Sequence, residues 1–372
     1  MQTALLLAFL IALMASQLLH PKMVEIAKLK HITDDPNQRK LQRHPVPVLG
    51  GLVVFFGIIM GAGLTTYAIS YHDAALYISM MLLMLTVGTV DDVVNLTPSV
   101  RFAVEIGATL CLIFLGGIAV DDFYGLWGLR HVGAWISIPL TIITVVGIIN
   151  AINLIDGVDG LSSGYCIVAC AMFGWYFYTV GDMPMTALAC ASAGSLIPFF
   201  IHNVFGHKSK MFIGDGGTLL MGMVLSIMVL RILTPGHFHI ASHDAESLMP
   251  LWPDTLAGDR QPIFGLVPFT LAVLSFPICD TLRVMISRVL RHQSPFSPDK
   301  THLHHAFIEI GFNHLRTTAT ILTLNIFIFA LWNALYLTGC SVDTQFYAVV
   351  GTTIVLNLSI YYGCQRIAHH RH

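Results

Sequence analysis

Charge is what this chain has least of: Asp, Glu, Lys and Arg make up 11% of its 372 residues, where soluble domains carry about 25%. Too few charges are present to face water on every side, which excludes an ordinary soluble fold. Cysteine is sparse as well. Cys111, Cys166, Cys170, Cys190, Cys279, Cys340 and Cys364 fall almost entirely in apolar stretches with no C-x-x-C pair. That pattern excludes a disulfide framework or a zinc ribbon and leaves small buried side chains. No basic run interleaved with aromatics occurs, so nothing points to nucleic acid. Internal repeats, low-complexity linkers and soluble-domain-sized insertions are also missing, so residues 1–372 read as a single membrane-embedded domain.

What is abundant is apolar: 55% of the residues are hydrophobic and the mean hydropathy is +0.73. Crossing a bilayer takes about 17–25 apolar residues per helix. Such stretches fall at 2–20, 48–70, 75–91, 101–120, 134–152, 161–181, 185–203, 215–234, 262–280, 318–338 and 345–364. The expectation is an all-α polytopic integral membrane protein of about eleven transmembrane helices. An odd number of spans puts the termini on opposite sides, and the Lys/Arg bias of the loops chooses between them. Lys22, Lys28, Lys30, Arg39, Lys40, Arg43, Arg101, Lys208, Lys210, Arg283, Arg288, Arg291, Lys300, Arg316, Arg366 and Arg371 share one side, against Arg130, Arg231 and Arg260 on the other. The N-terminus is therefore expected outside and the C-terminus in the cytoplasm, with loops 21–47, 91–100, 153–161, 204–214 and 281–317 cytoplasmic. Met1 to Leu19 lacks a basic n-region and positive charge follows it, so an uncleaved first helix is expected rather than a signal peptide.

Ionisable residues at the ends of membrane helices are costly and mark candidate sites. Four clusters stand out, all on the expected cytoplasmic side. Asp91-Asp92, followed by Asn95, ends the third span. Adjacent carboxylates repel unless a cation or proton intervenes, and hard oxygens suit Mg²⁺, although a solvated helix end is the better account of an isolated pair. Asp121-Asp122 is the same dipeptide in an outward loop with no cluster around it. Asn150, Asn153, Asp156 and Asp159 end the fifth span; three-residue spacing puts the last three on one face of a helical turn, and Gly157 and Gly160 allow close backbone approach. Lys210-Met-Phe212-Ile-Gly214-Asp215-Gly216-Gly217-Thr218 leads into the eighth span. Its glycine-rich turn would offer backbone N–H groups to an anion, its Asp a metal ligand and its Phe a stacking face. The loop Ser294 to His305 carries Asp299, Lys300, His302, His304 and His305; phosphate contact or acid–base chemistry suits these histidines better than zinc, whose ligand spacing is missing. Asp280 with Arg283 and Arg288 reads equally as a local helix-end ion pair, and the His369-His370-Arg371-His372 tail as a disordered terminus. Carboxylates in several loops plus His, Lys and Arg suit a Mg²⁺-bridged diphosphate at the membrane surface, and hence phosphoryl transfer.

Taken in order, Asp35-Pro-Asn-Gln-Arg39-Lys40, Pro47-Val-Leu-Gly50-Gly51, Asp91-Asp92, Asn150 to Gly160, Phe212 to Gly217 and His302 to His305 resemble the polyprenyl-phosphate N-acetylhexosamine-1-phosphate transferases over nearly the whole chain. The histidine loop and eleven spans look like the branch that makes polyprenyl-diphospho-N-acetylglucosamine. The branch acting on UDP-MurNAc-pentapeptide has ten spans and three consecutive histidines, and stands as the alternative. The resemblance implies transfer of an N-acetylhexosamine-1-phosphate, GlcNAc-1-phosphate first among them, from a cytoplasmic UDP-sugar to undecaprenyl phosphate, with release of UMP. It also implies an inner-membrane location feeding a cell-envelope glycan pathway, Mg²⁺ as cofactor with Mn²⁺ as a substitute, and compatibility with a homodimer. By the family's pattern Asn153 and Asp215 lie at the metal, Asp156 and Asp159 at the nucleotide sugar, Phe212 and Asn203 at the uridine, and Lys300, His302, His304 and His305 at phosphates; Asp91 or Asp92 orients or deprotonates the lipid phosphate. Gly216 and Thr218 depart from the usual Ala or Val and Ser but leave Asp215 in place. A proton- or metal-coupled transporter and an intramembrane prenyltransferase are the other classes compatible with buried acids, but neither inverted repeats nor paired Asp-x-x-x-Asp motifs are found.

Overall fold

The apolar runs fold as helices because only a helix satisfies its own backbone hydrogen bonds in lipid. The computed structural model describes residues 2–34, 45–65, 73–234, 264–295 and 301–370. Thirteen α-helices are found among them: α1 (Gln2–Leu29), α2 (Gly50–Thr65), α3 (Ala74–Val94), α4 (Pro98–Phe114), α5 (Ala134–Leu154), α6 (Leu161–Thr179), α7 (Met183–Phe205), α8 (Gly214–Leu233), α9 (Leu266–Val273), α10 (Ser275–Leu290), α11 (Leu303–Glu309), α12 (His314–Leu337) and α13 (Val342–His369). Every expected apolar stretch meets a helix. Seven of these, α1, α3, α5, α7, α8, α12 and α13, are long and apolar enough to cross a membrane unaided, and α9 with α10 makes an eighth as a bent pair. The protein is an all-α polytopic membrane protein.

The 76° bend between α9 and α10 has a local cause. Pro277 has no N–H to return to Val273, and its ring crowds that carbonyl. The freed Val273 oxygen accepts from the Tyr165 hydroxyl at 2.6 Å and the Asn325 amide at 3.2 Å, so α6 and α12 hold the break open.

Helix α8 is apolar on every side and buried along almost its whole length, as a helix at the centre of a bundle should be. It packs against α2, α3 and α5, while α1 and α7 pack around α2. The approach to its first turn is backbone on backbone. A Cβ on Gly51 would strike the Gly217 backbone, and one on Gly88 would strike that of Asp215 and Gly216. Glycine in α2 and α3 therefore lets the start of α8 sit deep between them. A two-stranded antiparallel ribbon, β1 (Thr33–Asp34) with β2 (Val46–Pro47), pairs Thr33 with Pro47. Phe212 N–H donates to the Pro47 carbonyl at 2.8 Å and Gly50 N–H to the Phe212 carbonyl at 3.0 Å, which fixes the segment entering α8 beside the ribbon.

Asp121-Asp122 lies at the far end of α4. The Asp122 carboxylate accepts from Tyr124 N–H at 2.6 Å and faces His131 at 3.6 Å, closing a surface turn remote from the acidic clusters. The cysteines are free thiols, with Cys166, Cys170 and Cys364 buried.

Candidate active site

One cavity of about 610 Å³ opens where α3, α5 and α7 end and α6, α8 and α12 begin. Of the residues singled out in the sequence, Asp91, Asp92, Asn153, Asp156 and Asp159 line it, together with Asn203, Phe212, Asp215 and His305. All four clusters thus reach the cavity, the first three through two or more residues each and the fourth through one histidine. Lys300 lies outside the described residues.

The two acids of the Asp91-Asp92 pair have different surroundings. Asp92 accepts from Asp215 N–H at 2.9 Å with one carboxylate oxygen and from Gly216 N–H at 3.1 Å with the other. It caps the first turn of α8, where the helix dipole favours negative charge. The glycine-rich turn expected to receive an anion is therefore filled by a side chain of the protein itself. Gly214, at φ +72°, lies so close to Asp92 that a Cβ there would collide with the carboxylate.

Asp91 instead faces Arg101 at 3.3 Å and accepts from Leu96 N–H at 2.7 Å. Its carboxyl also lies within hydrogen-bonding reach of Asp215. Arg101, on the first turn of α4, is the hub of this wall: its guanidinium reaches Asn150 Oδ1 at 2.9 Å, Asn153 Oδ1 at 3.3 Å, Glu105 at 3.5 Å and Asp215 at 4.0 Å. Asn153 Nδ2 donates to Asp215 at 2.6 Å and to Thr218 Oγ1 at 2.9 Å. Asn150, behind it, donates to the fully buried Glu105 at 2.6 Å. Sequence reasoning missed Arg101 and Glu105. An Arg near a helix start resembles any basic residue at a membrane surface, but a Glu four residues on, inside an apolar run, is the signal that pairs with it.

Asp156 and Asp159 lie between α5 and α6, outside the membrane spans. Asp156 opens onto the cavity and accepts from Ser162 Oγ at 2.5 Å. The protein packed around it raises its carboxyl above the ordinary range, Ser162 opposes the rise, and the charges of Asp215 and Asp159 add to it. Asp159 behaves oppositely. Burial alone would raise it, but His314 at 2.9 Å and Lys210 at 2.6 Å outweigh burial and hold its carboxyl below the usual range. Lys210 also lies 5.8 Å from the centre of the Phe212 ring, so that ring presents a flat face at the cavity rim beside a cation. Asn203 is buried, with Oδ1 accepting from Gly160 N–H at 2.7 Å and Nδ2 donating to the Met211 carbonyl at 2.9 Å. It braces the two loops that carry Asp159 and Phe212.

The histidines separate. His302 is buried and its Nδ1 meets Asp280 at 2.9 Å. Asp280 also accepts from Leu303 N–H at 3.2 Å and pairs with Arg283 at 2.6 Å, so the local ion pair forms as read and its acid also anchors the start of α11. His304 is buried beside Gly157, its ring held well below the ordinary histidine range first by burial and then by its histidine neighbours. It stacks on His302, with centroids 5.7 Å apart, and meets His305 at 4.3 Å. His305 alone of the three lines the cavity.

The acid wall fits a divalent cation. Asp91 and Asp215 come together from α3 and α8, with Arg101 at 3.3 and 4.0 Å supplying part of the positive charge that two carboxylates so close require. Among the described residues no three His, Cys, Asp or Glu side chains form a ready cage. One or two carboxylates completed by substrate phosphates is the usual provision for Mg²⁺.

A bundle of membrane helices with acids from α3, the α5–α6 turn and α8 facing Lys210, His305 and His314 across one opening defines a class of membrane enzyme that handles anionic substrates. The sequence model of glycosyl transferase family 4 matches residues 74–233, from the first residue of α3 to the last of α8, and this chain belongs to that family. An undecaprenyl-phosphate alpha-N-acetylglucosaminyl 1-phosphate transferase of Haemophilus influenzae is 30% identical over 291 residues, 75% of this chain and 72% of the relative. A probable undecaprenyl-phosphate N-acetylglucosaminyl 1-phosphate transferase of Bacillus subtilis is 27% identical over 329 residues, 88% of this chain and 83% of the relative. The corresponding enzyme of Escherichia coli K12 is 27% identical over 305 residues, 81% and 75% of the two chains.

Proposed function

We propose that this protein transfers N-acetylglucosamine-1-phosphate from UDP-N-acetylglucosamine to undecaprenyl phosphate and releases UMP, at the cytoplasmic face of the inner membrane. The convergence of three separated acidic segments with Lys210 and two histidines on one cavity, at the helix ends where the basic loops gather, carries this reading. The names of the relatives from Haemophilus, Bacillus and Escherichia support the acceptor and the sugar.

An oxygen of the lipid phosphate attacks the sugar-bearing phosphorus; the new P–O bond forms as the bond to the uridine-bearing phosphate breaks, and UMP leaves with that electron pair. Mg²⁺ bound through Asp91 and Asp215 would supply charge neutralisation for the diphosphate. Asn153 and Arg101 hold the Asp215 and Asp91 carboxylates in place. His305 and Lys210 face the developing charge on the phosphate oxygens, while Phe212 offers its face to the uracil. Asp156, with its raised carboxyl, and Asp159 stand at the nucleotide-sugar side.

Incubating the purified protein with Mg²⁺, undecaprenyl phosphate and a panel of UDP-N-acetylhexosamines, then weighing the lipid product, tests the assignment. Undecaprenyl-diphospho-N-acetylglucosamine is expected; a lipid product bearing another sugar would overturn the donor, and no lipid product from any donor would overturn the reading.

A further inference from the structure

A second cleft, about 560 Å³, runs between the bent α9–α10 pair and α13, with walls that are nearly all apolar. Its rim carries Leu282, Ile286, Ile354 and Leu358, all exposed, as befits a groove open to lipid tails. Three features are foreign to a plain apolar groove. Asn357 on α13 lines it, is 0% exposed, and has neither amide atom partnered. Arg283 lines the same wall with its Nε buried and unpartnered, its guanidinium 3.9 Å from the centre of the Tyr361 ring. Arg291 lies at the C-terminal end of α10 on the same cleft. Residues 357 and 361 are one helical turn apart, so Asn357 and the Arg283–Tyr361 stack form one polar strip along an otherwise greasy wall.

A buried amide with both atoms unmet is costly unless a ligand meets it, and a bare hydrocarbon chain cannot. We propose that this cleft binds a membrane glycerophospholipid. An acyl chain lies along Leu282, Ile286, Ile354 and Leu358; an ester carbonyl accepts from Asn357 Nδ2; the phosphate turns toward the Arg283 and Arg291 end, and water carried with the ester reaches Asn357 Oδ1. With Arg283 already paired to Asp280, the positive charge of Arg291 at the end of the cleft favours an anionic headgroup such as phosphatidylglycerol. The lipid that accepts the sugar phosphate is not the occupant proposed, because its tail offers no oxygen at the depth of Asn357.

The test reads bound lipid, not turnover, so its outcome is separate from that of the proposed reaction. The full-length protein is purified in detergent, washed, and its retained lipids are extracted and weighed. Wild type should keep phospholipid near equimolar with protein, and delipidated wild type should regain thermal stability on adding phosphatidylglycerol. Asn357→Leu, and independently Ile354→Trp at the exposed rim, should lower retained phospholipid several-fold while the protein stays monodisperse; the rim variant keeps the test valid should the buried one misfold. Retention unchanged in Ile354→Trp, loss of phospholipid from wild type on washing without any stabilisation by phosphatidylglycerol, or undecaprenyl phosphate as the retained lipid would each overturn the proposal.

Discussion

Asp91 and Asp92 are neighbours in sequence and about 100° apart around their helix, and that rotation gives them different work. Asp92 caps α8 with both oxygens, so Asp92→Ala should cost about 1–2 kcal/mol, the usual worth of a lost helix cap, visible as a lower thermal unfolding midpoint. Asp91→Asn should leave that midpoint nearly in place and lower kcat instead. Arg101→Met removes the guanidinium that touches both carboxylate partners, and kcat/KM should fall by about 10²-fold or more, on the scale of losing one positioned charge donor. Asp159 is held below the ordinary carboxylate range by His314 and Lys210. A carboxyl lowered on folding stabilises the protein fully above its unfolded pKa, about 3.9, and that stability drains away as pH falls through the lowered native value. The unfolding midpoints of wild type and Lys210→Met should therefore differ at neutral pH and draw together in acid. At this scale the sequence displayed the acids and concealed their partners: spacing put Asn153, Asp156 and Asp159 on one turn, but nothing in the order of residues joins Arg101 to Asn150, 49 residues away.

Hydropathy marked every apolar stretch that became a helix, because length and composition are what a bilayer selects. It could not foresee the break at Leu274, which depends on Tyr165 and Asn325 accepting the role of partner to a carbonyl that Pro277 leaves free. Nor could it divide the histidine loop. His302 and His304 turn inward because Asp280, read as half of a local pair, reaches back from α10 to cap α11. The Gly-Asp-Gly-Gly segment looked like an anion nest and proved to be a packing joint, since the partner filling it, Asp92, comes from a different helix. That joint is testable. Gly88→Val would drive a side chain into the backbone of Asp215 and Gly216; overpacking of this kind costs about 1–3 kcal/mol, and the displaced Asp215 should lower turnover in a protein that still inserts into membranes.

For the whole molecule, the bundle gathers helix ends from distant parts of the sequence around one opening, on the side where positive charge concentrates. Charge bias and hydropathy made that polarity legible in the sequence, while the convergence itself required the packing of α3, α5 and α8 into one core. The reaction proposed for the cavity between these helices is a divalent-cation-dependent phosphoryl transfer. UMP release from UDP-N-acetylglucosamine and undecaprenyl phosphate by the purified protein, with and without EDTA, for wild type and Asp215→Ala, tests it most directly. Wild type should release UMP only when both substrates are present, lose that release in EDTA and recover it with Mg²⁺, and Asp215→Ala should release none above background. UMP release by Asp215→Ala at the wild-type rate, or by wild type at full rate in EDTA, would contradict the account.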